Sequence, residues 1–163
     1  MSANEPIKIP PEDLPLLLNA ILSERLLGAA RSLGEGGRWW WTYPDPKGGD
    51  DAPVLRTDHP VLSMDESRCD DVLMMLNNLS HSGQPFNWAF GRRPVPPEYR
   101  DRGVTQWYGC RLFAPDDSGA VVSEAGAEVM STAIALAIVR LTGADLQAEH
   151  RVMFPHRYLV LNS

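Results

Sequence analysis

The sequence has only two cysteines in 163 residues, Cys69 and Cys110. That is too few for a disulfide framework, and no metal-type spacing links them. A reducing compartment is the simpler setting. No apolar run approaches the ~20 residues of a membrane span. The N-terminus carries Glu5, Glu12 and Asp13 among its prolines, which is not the pattern of a signal peptide. Positive charge is also short: the net charge is −6 and the pI about 5.1. Counterion release across the whole surface therefore does not drive nucleic-acid binding, and no direct sequence-specific contact to nucleic acid is expected. No internal repeat is visible. A phosphate-cradling loop follows a strand and opens a helix, whereas Gly34–Gly37 (G-E-G-G) precedes a strand, so a dinucleotide fold is rejected.

What is present is ordinary soluble composition, 44% hydrophobic and 22% charged. A chain of this size buries roughly 70% of its unfolded surface without a staple. Residues 1–10 are polar and proline-bearing and read as a flexible arm, 11–143 as a single domain and 144–163 as a C-terminal tail. Leu14, Leu17, Leu18, Ile21, Leu22 and Leu26 share one face of a helix over Glu12–Leu33, stopped by Gly34, Gly36 and Gly37. Arg38–Tyr43 (RWWWTY) reads as a strand that sends Trp39 and Trp41 to the face opposite Trp40. A second helix begins near Ser63, with Glu66 completing a capping box. Phe86–Phe90 and Gln106–Phe113 read as antiparallel partners. A third helix is expected over Ser123–Leu141, ended by Gly143, and a short strand over Tyr158–Leu161. This is an α+β pattern, helices on a small antiparallel sheet.

No catalytic constellation outlasts its plainer alternative. His150 and His156 stand six apart, which is neither a helical turn nor adjacent same-face strand positions, so no metal is implied. His59 precedes Pro60 and reads as a turn. His81 beside Ser82 says little, because nucleophile and base must meet in space rather than in order. Cys69 and Cys110 read as small core residues. Asp45–Asp71 holds eight carboxylates against Lys47, Arg56 and Arg68, a balance of −5. It reads as a solvated loop and helix start, with presentation to a basic surface as the rival use.

Gly91–Arg111 is the informative segment. Arg92, Arg93, Arg100, Arg102 and Arg111 face only Glu98 and Asp101, a balance of +3 that leaves −9 for the rest of the chain. Arginine offers a planar fork of donors to phosphate or carboxylate, and aromatics stack or anchor partners. The segment fits a nucleotide-sized anion or an acidic protein face; the plain alternative is a hairpin loop whose arginines pair with the protein's own acids. Trp40 and Trp107 join the five loop arginines as the expected binding residues. No cofactor, catalytic residue or metal ligand is expected.

Four stretches carry a resemblance. Leu18–Gly28 (LNAILSERLLG) follows a leucine-spaced, glutamate-bearing helix that ends in glycine. Ser63–Asp65 gives the S-x-D that leads a second helix. Trp107–Cys110 gives a W-x-C strand one residue longer than usual, and Ser123–Leu141 gives an alanine-rich last helix after acidic residues. In outline, residues 14–143 resemble the phage ABA-sandwich domain family. The resemblance implies a layered α/β/α sandwich with three helices and a small antiparallel sheet. It implies a small phage or prophage accessory protein with no catalytic residues to carry over. The arm, the arginine loop and the tail depart from the family pattern. On that basis the expectation is a non-enzymatic binding protein in the cytoplasm of a host bacterium. It would inhibit a host antiviral defence protein by direct binding, or sequester a nucleotide immune signal through arginine and tryptophan. A hydrolase of such a signal, using His81 or the acidic pairs Asp50–Asp51 and Asp70–Asp71, is the contrasting class. A homodimer is also expected, since symmetric pairs dominate soluble oligomers.

Overall fold

Leucine spacing and a proline placed where its missing N–H costs little start a helix two residues past the expected Glu12. The computed structural model describes residues 9–44, 55–58, 71, 73, 74, 87–114, 116 and 118–159. In it α1 spans Leu14–Leu26. The expected extension to Leu33 does not form. Gly28 adopts φ +72°, and the Ala29 N–H returns to the Ser23 carbonyl at 3.0 Å, which closes the last turn. Ala30–Leu33 become β1 instead. They are recruited by the tryptophan strand β2 (Trp39–Tyr43), with Arg31 opposite Trp41 and Leu33 opposite Trp39. β3 (Leu55–Thr57) lies on the other side of β2. Alternation in β2 buries Trp41 and Tyr43, while Trp40 sits under the Arg56 guanidinium at 4.2 Å.

The expected hairpin partners do pair. β4 (Asn87–Arg92) runs antiparallel to β5 (Tyr108–Phe113), with Trp88 opposite Leu112 and Phe90 opposite Cys110. The third strand of this sheet is a correction. Ser123–Ala127, read as the start of the last helix, belongs to β6 (Val121–Ala127), and the helix begins only at Met130 (α3, Met130–Leu141). The physical reason is the period. Ser123, Ala125 and Ala127 are buried, Glu124 between them is only half-buried and Gly126 lies under the Trp107 indole, a strand pattern that the alanine count masks. Ser123 Oγ donates to the Ala137 carbonyl at 2.7 Å, fastening strand to helix.

α3 is buried all round from Ser131 to Val139 because β5 and β6 cover one side and α1 the other. Its Ile134, Leu136 and Ile138 join Leu17, Leu22 and Trp41 in one continuous core. The α+β class therefore stands, with antiparallel strands and packed helices. Among the described residues its strands divide between two three-stranded sheets, β1–β2–β3 and β4–β5–β6.

Residues 144–159, expected as a tail, fold as α4 (Leu146–Met153) and α5 (His156–Leu159). Asp145 caps α4 by accepting from the Ala148 N–H at 3.1 Å. Of the strand expected at Tyr158–Leu161, Tyr158 and Leu159 belong instead to this last helical turn, in which the Tyr158 N–H bonds the Pro155 carbonyl at 3.0 Å, and the rest lies outside the described residues. Met153 enters the core, and so does Ile9 at the other end of the chain. Arg31 ties these parts together, bridging Glu24 of α1 and Glu149 of α4 at 3.3 Å each. Asp71, Leu73 and Met74 are helical. The capping pair Ser63 and Glu66, Cys69, His59, His81, Ser82 and most of Asp45–Asp71 lie outside the described residues.

Candidate functional site

The chain between β4 and β5 is held at its base and stiffened along its length. The Arg93 N–H bonds the Trp107 carbonyl at 2.9 Å, extending the hairpin by one pair. Pro94, Pro96 and Pro97 then bias the segment to extended backbone until Pro97 opens α2, a single turn over Pro97–Arg100. Gly103 turns back at φ +86°, and the Val104 N–H reaches the Tyr99 carbonyl at 3.1 Å. The Tyr99 ring lies against the Trp107 indole, centroids 4.5 Å apart and tilted by 40°. This loop is consequently a built structure, with Trp107 6% exposed beneath it.

Between the loop and the outer face of β5–β6 lies a cleft of about 360 Å³. Arg93, Arg100, Trp107, Arg111 and Glu124 line it. Its floor depends on glycine. Gly91, Gly109 and Gly126 stand abreast across the three strands. A Cβ at Gly109 would meet the Arg93 stem at 3.0 Å, and one at Gly126 would meet the Trp107 indole nitrogen at 2.5 Å. The missing side chains let the arginine stem and the indole lie flat on the sheet. Sequence reasoning missed these glycines. The available signal was a glycine inside a strand pattern, which marks close approach.

Three guanidinium groups thus share a cleft with one carboxylate. Arg111 pairs with its cross-strand neighbour Glu124 at 3.2 Å, and the two side chains are 49% and 31% exposed. Arg100 donates to the Val95 carbonyl at 3.0 Å, which fixes its direction without neutralising it. Among the described residues no carboxylate lies within ion-pair distance of Arg93. Arg102 sits over the Tyr99 ring at 5.6 Å and lines the neighbouring cavity. Arg92 does not line the cleft. Trp40 belongs to the other sheet, where it shares a separate depression with Arg38 and Arg56. Of the seven residues expected from sequence, Arg93, Arg100, Trp107 and Arg111 meet in one place.

Two groups with nucleophile or base chemistry are placed for structure. Burial pushes the Cys110 thiol up to about 12, so it carries no thiolate near neutrality. His150 lies in line between Asp13 (Nε2 to Oδ2, 2.8 Å) and the Tyr158 hydroxyl (Nδ1 to Oη, 2.6 Å). That line looks like a carboxylate–imidazole–hydroxyl relay. The ring is only 2% exposed, and Arg157 grips both oxygens of the same carboxylate at 2.9 and 2.8 Å. Gln147 donates to the Tyr158 hydroxyl at 2.6 Å. No substrate reaches an imidazole so enclosed, and the cluster fastens α4 and α5 to the start of α1. Burial alone would raise the Asp13 carboxyl, but its hydrogen bonds to Arg157 and His150 outweigh that and hold it below the ordinary range.

Among the described residues no three His, Cys, Asp or Glu side chains gather as a metal site, and no helix is long and apolar enough to cross a membrane. Comparison with known proteins finds no matching family model, no matching curated protein and no matching solved structure.

Proposed function

We propose that this is a binding protein rather than an enzyme, and that its working surface is the cleft between the 93–107 loop and β5–β6. There it receives an acidic group of a partner. In the setting implied by the phage-family resemblance, the partner is a host defence protein that is blocked by occupation of its acidic face. The observation that carries the reading is the convergence of Arg93, Arg100 and Arg111 on one cleft, with Glu124 the lone carboxylate among the described residues of its lining. A charge-assisted bond from a guanidinium to a carboxylate contributes about 1.5–3 kcal/mol when desolvated, against ~0–1 kcal/mol for an exposed pair. A partner that covers the cleft therefore gains what solvent now screens.

A cleft volume of about 360 Å³ also lies within the range of small-ligand sites, which favours a nucleotide signal as the second reading. One experiment separates the two. The protein is used as bait in host lysate, and nucleotides are extracted from the same beads. A captured protein with no nucleotide supports the first reading; an intact nucleotide released on heating supports the second. An altered nucleotide product would instead indicate hydrolysis and overturn both. Charge reversal supplies the residue test: Arg93→Glu should abolish capture with the melting temperature unchanged, whereas Arg92→Glu, outside the cleft, should leave it intact. Equal capture by the wild type and Arg93→Glu removes the cleft from the account.

A further inference from the structure

The arginine cleft has an apolar neighbour. A second cavity, of about 370 Å³, shares Trp107 with it. Ile9, Leu14, Pro15, Val104 and Val129 supply aliphatic lining from the entry to α1, the loop and the start of α3. Tyr99 adds an aromatic wall; Arg102, Glu128 and Thr132 are its polar lining. Trp107 and Gly126 line both cavities, so a cationic compartment and a largely aliphatic one adjoin at the indole. The indole N–H, placed over Gly126, has no acceptor among the described residues.

We propose that the two compartments form one bipartite site for an extended segment of the partner protein, carrying a carboxylate side chain and, two residues away, a large aliphatic side chain. The inference rests on the cleft reading above and names the chemistry of what enters it. Charge complementarity assigns the carboxylate to Arg93, Arg100 and Arg111. The aliphatic lining assigns the second side chain to the cavity of Leu14, Val104 and Val129. The spacing follows from strand geometry. Residues i and i+2 of an extended chain point the same way and stand about 6.6 Å apart, so two side chains can straddle the edge of a single ring. A carboxylate seated in the cleft also gives the Trp107 N–H an acceptor. Arginine and tryptophan at the centre, with an apolar pocket beside them, is the arrangement that concentrates binding energy in protein interfaces. The aliphatic residues in the lining favour a peptide side chain over a nucleobase as the second group.

The test uses the full chain and short capped peptides, Ala-Glu-Ala-Leu-Ala and its reversed order Ala-Leu-Ala-Glu-Ala, titrated by calorimetry and by the indole N–H resonance of Trp107. At least one order should bind and shift that resonance downfield. Replacing the peptide leucine with alanine should weaken binding at least tenfold, since each buried methylene changes affinity about fourfold. That loss should shrink to under about threefold in the Val104→Asn variant, whose cavity no longer favours an aliphatic group. Replacing the peptide glutamate with glutamine should weaken binding equally in the wild type and Val104→Asn. If the glutamate matters and the leucine does not, the bipartite site is overturned while the arginine cleft stands. If the leucine matters and the glutamate does not, the cleft reading itself fails. No binding of either order at millimolar concentration overturns the proposal.

Discussion

Two charge-rich regions of this molecule use the same chemistry to opposite ends. Around Asp13, the carboxylate, the imidazole of His150 and the guanidinium of Arg157 answer one another, and both Asp13 and His150 are buried. Around Arg93, three guanidinium groups converge with one carboxylate between them, and they remain open to solvent. The first cluster joins elements that lie 137 and 144 residues apart in sequence. Among the described residues the second spends only the charge of Arg111, on Glu124. Enclosed charge with every partner supplied is a fastening; exposed charge that is oriented but not neutralised is available to a ligand.

Removing the carboxylate of the fastening gives the largest expected effect. Asp13→Ala leaves the buried His150 imidazole without its carboxylate and should cost about 3 kcal/mol in urea unfolding. Partner capture at a temperature where the variant stays folded should be unchanged. Loss of capture in the folded variant would erase the division between the two regions.

A glycine pair sharpens the comparison next. In Gly126→Val the new Cβ would lie 2.5 Å from the Trp107 indole nitrogen, and the ring must move. The expected cost is about 1–3 kcal/mol, together with lost capture. Gly91→Val, in the same cross-strand row but with open space above it, should stay within about 0.5 kcal/mol of the wild type. Equal unfolding midpoints for the two variants would show that the indole does not depend on the bare backbone.

Acid should act on the fastening. The Asp13 carboxyl is held below its ordinary value of 3.8, so the unfolded chain takes up its proton first. Its contribution is complete above that ordinary value and fades as pH falls through the lower folded value. Urea midpoints measured from pH 6 to pH 3 should therefore fall more steeply for the wild type than for Asp13→Asn. Parallel curves would mean the pair is not what acid breaks.

The smallest effect belongs to the open region. Arg111→Gln removes an exposed pair with Glu124 and should change stability by less than about 1 kcal/mol. The same change should weaken partner capture, since it removes one of three donors from the cleft. A stability loss as large as that of Asp13→Ala would move Arg111 from the ligand side of the comparison to the structural side.

Much of this was legible in the chain. The tryptophan strand, the paired strands on either side of the arginine loop and the alternation of Trp40 against Trp41 follow from the two-residue period of a pleat. The charge excess of residues 91–111 pointed to the segment that builds the cleft. What misled was local ambiguity. Ser123–Ala127 is alanine-rich and continues into a true helix, so its strand period was absorbed into the helical one. Ala30–Leu33 has no strand signature of its own and becomes β1 only because β2 offers unpaired backbone beside it. Trp40 was grouped with the loop arginines by composition, and only the division into two sheets separates them.

The sequence alone determined the α+β class, the position of the leucine helix and the stretch of chain where cationic charge gathers, because periodicity and composition are local properties. Tertiary structure decided which arginines meet, that Glu124 stands among them, that Gly109 and Gly126 make room for Arg93 and Trp107, and that His150 is enclosed by residues from both ends. Those are facts of register and packing between distant segments. Cross-strand neighbours and buried partners exist only once the chain has closed on itself.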